Sequence, residues 1–108
     1  MSKKYRLIIK VVKIRGRCPV YKLGDKMVVE DPKVLLNETS ALCMHAFSCM
    51  LPLLLALCRG IEPSEIGLSK RRGDIGYVQC VDPGERYTGG GTVVFEIERV
   101  PASQASRK

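Results

Sequence analysis

Residues 41–58, ALCMHAFSCMLPLLLALC, decide the fold. The run contains no Asp, Glu, Lys or Arg, and His45 is its single basic group. It predicts the main helix of the chain. Asn37, Thr39 and Ser40 stand before it as candidate N-caps. Arg59-Gly60 stops it, a cation in the last turn followed by a C′ glycine. Pro52 falls inside and predicts a kink, or the end of a first helical section. As a membrane span the run is at the short limit of length, and His45, Ser48, Pro52, Cys43, Cys49 and Cys58 interrupt it. No membrane span is therefore expected. The better reading is a helix buried on most sides. One small sheet covers only one stripe of such a helix, so the rest calls for another cover. A second copy of the chain is the simplest one, which makes a homo-oligomer through helix 41–58 the expected assembly.

On the N-terminal side, residues 5–14 (YRLIIKVVKI) are rich in β-branched residues and read as a strand. Tyr5, Leu7, Ile9 and Val11 make one face, and Arg6, Ile8, Lys10 and Val12 the other. Gly24-Asp25 is a turn signal. Met27–Glu30 is a second strand stopped by Asp31-Pro32, and residues 33–40 look irregular. On the C-terminal side, residues 61–76 form a polar connector and Tyr77–Val81 a third strand. Asp82-Pro83-Gly84 begins a turn. Gly89-Gly90-Gly91 reads as a flexible hairpin loop, and without a following helix and Lys-Ser/Thr it is no P-loop. Thr92–Val100 alternates strongly, with Val93, Phe95 and Ile97 on one face, and is the fourth strand. Pro101 ends it. Residues 101–108 read as a polar, disordered tail. The expected fold class is α+β, in one domain over residues 1–100. A small, mainly antiparallel sheet in the order β-β-α-β-β packs on one long apolar, Pro-kinked helix.

The chain has 108 residues, enough for one domain, and is 45% hydrophobic, enough for a core without disulfide staples. With no Trp, four Tyr and two Phe, it offers no large stacking platform for bases or sugars. The formal charge is +7. Lys3, Lys4, Arg6, Lys10, Lys13, Arg15 and Arg17 crowd residues 1–17, which contain no acid. Lys70-Arg71-Arg72 form a second cluster, and Arg107 and Lys108 close the tail. Arg17, Lys70, Arg71 and Arg72 are the candidate anion-binding residues. Such a balance suits nucleic acid, phosphate groups or acidic lipid; the plainer reading is solubility. A nucleic-acid-binding module predicts that Arg6, Lys10, Lys13, Arg15, Arg17 and Lys70–Arg72 form one surface. Cys18, Cys43, Cys49, Cys58 and Cys80 are odd in number. The apolar stretch 5–14 is broken by Lys10 and Lys13, so it makes no signal core. Reduced thiols in a cytoplasmic protein are the expectation.

Several short matches, in order, resemble a small family of bacterial and archaeal proteins. They are Gly16-Arg17-Cys18-Pro19, Gly24-Asp25, Leu42–Phe47 opening a helix and Leu57–Gly60 closing it. Cys80-Val81-Asp82-Pro83 and Val93–Val100 complete the set, which covers roughly residues 5–100. The family pattern has cysteines at Cys18, Cys43 and Cys80. Cys49 and Cys58 are additions of this chain, and His45 matches part of the family only. The resemblance implies the fold and the three-cysteine pattern, and no activity.

Cys43 stands out by position. Whether it is N3 behind a Ser40 cap or the cap itself, the positive end of the helix favours a thiolate there. Cys18 lies in the loop after the first strand and Cys80 near the end of the third. If those loops meet the helix start, three thiolates and a fourth ligand make a site for zinc or another thiophilic metal. His45 is the fourth candidate only if the helix starts late, since residues two apart on a helix diverge. A thiol site for redox chemistry or small-molecule capture is the alternative, and purely structural cysteines the plainest reading. Cys49 and Cys58, inside the apolar run, read as core. Gly24, Asp25 and Asp82 read as turn residues. Asp25, Asp74 and Asp82 are also the acids nearest the cysteines in the predicted layout. The basic loop 70–72 is the candidate cation for a charged Cys43. No Ser-His-Asp set can be built on one histidine. Three functions stay open: a thiol or metal site, with or without catalysis; a nucleic-acid-binding module; and a structural or regulatory homo-oligomer.

Overall fold

The computed structural model describes residues 4–102. Seven elements carry the fold: strands β1 (Tyr5–Arg15), β2 (Lys26–Glu30) and β3 (Lys33–Val34), helix α1 (Met44–Cys58), strand β4 (Ile75–Gln79), the one-turn helix α2 (Glu85–Thr88) and strand β5 (Thr92–Pro101). Two 3-10 turns, Leu36–Glu38 and Pro63–Ile66, flank α1 in sequence. The sheet is antiparallel throughout, in the order β3-β2-β1-β5-β4. The mixed α+β class is as expected, but the order differs. A two-residue strand, β3, precedes the helix, because Asp31-Pro32 turns the chain back so that Val34 pairs with Val29.

The alternation read in β1 and β5 holds. Leu7 pairs with Arg99, Ile9 with Ile97 and Val11 with Phe95, all on the face that α1 covers. A bulge between Val11 and Lys13 restores the phase, so Ile14 opposes Val93 and Lys13 opposes Val94. From α1 the core receives Ala46, Met50, Leu54, Leu57 and Cys58, a stripe at helical spacing. Fully burying one such Leu or Phe stabilises by about 1.5–3 kcal/mol.

Two expectations need correction, and a third narrows to one of its alternatives. The helix starts at Met44 and not at residue 41. Cys43 is its N-cap, with extended φ −87° and ψ 122°, and the first helical bond runs from Phe47 N–H to Cys43 O at 2.8 Å. Of the two readings of Pro52, the end of a first helical section does not occur, since the helix continues through it as one element. The carbonyl that Pro52 leaves without a donor belongs to Ser48, and both residues face solvent, where water reaches it. Finally, the helix is not buried on most sides. One stripe is covered, and Met44, Leu51 and Leu55 remain exposed.

The third predicted strand begins two residues earlier than read, at Ile75. Gly76 permits this, since a Cβ there would stand 2.9 Å from Pro63 Cβ. The expected disordered tail mostly lies outside the described residues, as do Lys3, Arg107 and Lys108 of the basic clusters. Its first residue, Pro101, belongs to β5 and pairs with Tyr5. No helix among the described residues is long and apolar enough to cross a membrane.

Candidate functional site

Cys18, Cys43 and Cys80 line one cavity of about 450 Å³, between the start of α1 and the ends of β1 and β4. His45 and Asp82 share its lining, and Val20, Leu42 and Val93 are among its apolar walls. The chain thus gathers three thiols, its single histidine and a carboxylate from three separate segments.

Each thiol is placed by its own local structure. Cys18 lies in the loop after β1, and its sulfur accepts a hydrogen bond from the Tyr21 N–H at 3.3 Å. Cys43 is held through its backbone: its N–H donates to the Tyr21 hydroxyl oxygen at 2.9 Å, while its sulfur makes no cap hydrogen bond. Cys80, buried just past β4, is held on both sides. Its sulfur accepts the Val93 N–H at 3.3 Å and its thiol donates to the Gly91 carbonyl at 3.6 Å.

Tyr21 therefore spans two of the three cysteines. Its ring meets Phe95 edge-on, with centroids 5.4 Å apart, and its phenol is pushed up by burial, against the lowering effect of the Cys43 N–H. Of the glycines 89–91, expected to form a flexible loop, Gly89 is exposed with open space around it, but Gly90 and Gly91 are packed tightly. A Cβ on Gly91 would lie 2.6 Å from the Arg17 carbonyl carbon and 2.9 Å from Cys18 N; one on Gly90 would overlap the Asp82 carboxylate. Only bare backbone fits between the Cys18 loop and Asp82. Neither Tyr21 nor this crossing carried a sequence signal, since each depends on loops that meet only in the fold.

Asp82 keeps the turn role read for it and adds a second one. Its Oδ1 accepts the Gly84 N–H at 2.8 Å and the Thr88 hydroxyl. The Thr88 hydroxyl first, then the Gly84 N–H, and lastly His45 hold its carboxyl below the usual range, against some desolvation. Asp25 is a turn residue only: its carboxylate accepts the Lys22 N–H at 3.0 Å, and Gly24 N–H donates to Val11 O at 3.1 Å.

Among the described residues, no three or more His, Cys, Asp or Glu side chains are arranged to hold a metal ion. The tetrahedral zinc set expected from Cys18, Cys43, Cys80 and His45 is therefore not assembled. The thiols share a cavity without converging on a point. Cys58 is core as expected, and burial pushes its thiol up. Cys49 is not core: it is exposed. Nor does the basic loop supply a cation to Cys43. Lys70, Arg71 and Arg72 line a separate depression, whereas Arg17 borders Cys18 and Gly90 in a shallow one. The basic surface expected for nucleic acid loses two of its members. Arg6 is buried and paired with Glu30 at 3.5 Å and Glu38 at 3.9 Å, and Arg17 lies at the cysteine end.

Fold and site together define a small α+β domain with a thiol-lined apolar cavity at the start of its main helix. No protein-family model, curated protein or solved structure matches the chain.

Proposed function

We propose that the protein captures small apolar molecules bearing a thiol-reactive centre, with Cys43 as the nucleophile. The observation that carries this reading is the shared cavity: three cysteines, His45 and Asp82 around an apolar space of about 450 Å³, within the size range of small-molecule sites. Cys43 is assigned because its sulfur makes no cap hydrogen bond and stands at the first turn of α1, whereas the sulfurs of Cys18 and Cys80 are engaged. With an α,β-unsaturated carbonyl the step is a thiol addition. The sulfur–carbon bond forms at the β-carbon, the π pair moves to the α-carbon, and the thiol proton is delivered there, with His45 as its carrier. A zinc or other thiophilic-metal site is the weaker reading, since the donors do not converge. Five unpaired thiols support a reducing, cytoplasmic location.

Peptide-resolved labelling with a small apolar maleimide tests the proposal, with exposed Cys49 as internal control. Cys43 is expected to be labelled and to be protected by an excess of an apolar enone, while Cys49 is labelled with or without it. Equal labelling of both with no protection would reject the reading.

The uncovered side of α1 favours a second property, self-association. From Ser48 to Leu55 its exposed residues carry no formal charge and include Leu51, Pro52 and Leu55. Light scattering is expected to show an oligomer that Leu55→Lys dissociates; a monomer at high concentration would contradict it.

A further inference from the structure

On the sheet face turned away from α1, we propose a docking surface for single-stranded nucleic acid, with Tyr77 as a base-stacking residue and the loop Lys70–Arg72 as a phosphate clamp. The strand register defines this face. Lys26, Lys10, Glu96 and Tyr77 form one row across β2, β1, β5 and β4. Lys13, Val94 and Gln79 form the next, and Arg15 beyond them donates to Gln79 Oε1 at 3.1 Å. No helix among the described residues lies across these rows, and Lys10, Lys13, Arg15, Lys26, Tyr77 and Gln79 are exposed.

The loop after the second 3-10 turn closes one end of the face. Leu68 tucks inward beside Gly76 and its carbonyl accepts the Tyr77 N–H at 2.8 Å, which turns Lys70, Arg71 and Arg72 outward around Tyr77. The depression so formed measures about 830 Å³, room for a base and its sugar-phosphate. Charge complementarity selects the occupant. Across the rows and the loop, seven cations stand against three carboxylates, Glu96, Glu98 and Asp74, of which Glu96 already accepts the Tyr77 hydroxyl at 3.2 Å and Asp74 is paired with Arg99 at 2.9 Å. Among the described residues, Arg72 makes a long contact to Glu62, at 3.9 Å. Exposed cations beside an exposed ring, on an open sheet, match what a single strand needs: phosphates neutralised and a base face covered. This surface lies opposite the cysteine cavity and is independent of it.

Fluorescence anisotropy with a labelled oligouridylate tests the proposal in the full chain. Binding is expected at low salt and to weaken steeply as salt rises, by about 0.7 in log–log slope for each phosphate neutralised. Replacing Lys70, Arg71 and Arg72 by Ala is expected to weaken binding about tenfold or more and to flatten the slope by about two units. Tyr77→Leu is expected to cost about fivefold or more. Unchanged circular dichroism and urea midpoint show that the variants remain folded. Absence of binding at low salt, equal binding of the duplex with no effect of Tyr77→Leu, or binding to anionic phosphatidylserine vesicles in place of the oligonucleotide would each overturn it.

Discussion

The two ends of α1 are built differently. At its C-terminus the helix is tied down by polar groups. Ile61 N–H returns to Ala56 O at 3.1 Å, and Arg59 pairs with Asp31 at 2.9 Å. Arg99, buried on the inner sheet face, reaches the carbonyls of Gly60 and Ile61 and the Asp74 carboxylate, with its guanidinium 4.1 Å from the centre of the Tyr5 ring. At the N-terminus there is no side-chain cap bond, and the cap residue is a cysteine facing a cavity. A helix end normally takes Ser, Thr, Asp or Asn at that position, worth about 1 kcal/mol over residues that cannot cap. One end is optimised for stability; the other keeps a thiol where a better cap would fit.

The strongest way to break the comparison is at the closed end. Arg99→Met removes a buried cation that satisfies two carbonyls and leaves them unpaired. It is expected to lower stability by about 2–4 kcal/mol, read by urea denaturation, while Cys43 labelling of the folded protein stays unchanged. At the open end, Gly91→Ala forces a methyl against the Arg17–Cys18 peptide, backbone that cannot move aside. A cost of about 1–3 kcal/mol is expected. Unlike Arg99→Met, it should also alter the labelling of Cys18 and Cys80, whose positions Gly91 sets. If both variants left labelling equally untouched, the division between the ends would fail.

The closed end was more legible in the sequence than the open one. Arg59-Gly60 announced the helix stop because a C′ glycine is a local signal: Arg59 is the C-cap and Gly60 follows at positive φ. Strands β1 and β5 were readable because burial of one sheet face imposes a period of two on Leu7, Ile9 and Val11 and on Val93, Phe95 and Ile97. Cys18, Cys43 and Cys80 stand out in the sequence by their position at element ends, and they share one cavity. What stayed hidden depends on contacts between distant loops. Tyr21 bridges Cys18 and Cys43 across the chain, Gly91 fits bare against the Arg17–Cys18 peptide, and β3 exists only because it pairs with β2. The helix start was misplaced because Ser40 and Thr39 look like caps. In the fold their side chains accept backbone N–H groups of β2 instead, Lys26 at 3.2 Å and Val28 at 3.2 Å.

A smaller effect follows from acid. The Asp82 carboxyl has its folded value lowered, chiefly by the Thr88 hydroxyl. A group of this kind contributes stability above its unfolded value, near 3.9, and loses it as pH falls through the folded one. Thr88→Val is therefore expected to raise the Asp82 titration midpoint, measured by NMR, and to make the open end loosen at a higher pH on acidification. The Glu62 carboxyl is lowered too, chiefly by the Ser64 hydroxyl. It caps the Pro63–Ile66 turn away from the cavity, and it should titrate without any change in Cys43 labelling.

The smallest change in stability is the sharpest test of the contrast. Cys43→Ser replaces a sulfur that makes no cap bond with a hydroxyl suited to the N2 or N3 backbone N–H. The backbone bond from residue 43 to the Tyr21 hydroxyl does not depend on the side chain. Stability is expected to stay level or to rise by a few tenths to about 1 kcal/mol, while adduct formation with an apolar enone at the cavity disappears. Cys49→Ser, on the exposed side of the same helix, is expected to leave adduct formation at residue 43 intact. A Cys43→Ser variant that lost stability would mean that the sulfur packs as a structural group. A variant that still trapped the enone in the cavity would move the nucleophile to Cys18 or Cys80. Gain in stability with loss of capture is the combination that only a thiol kept for chemistry produces.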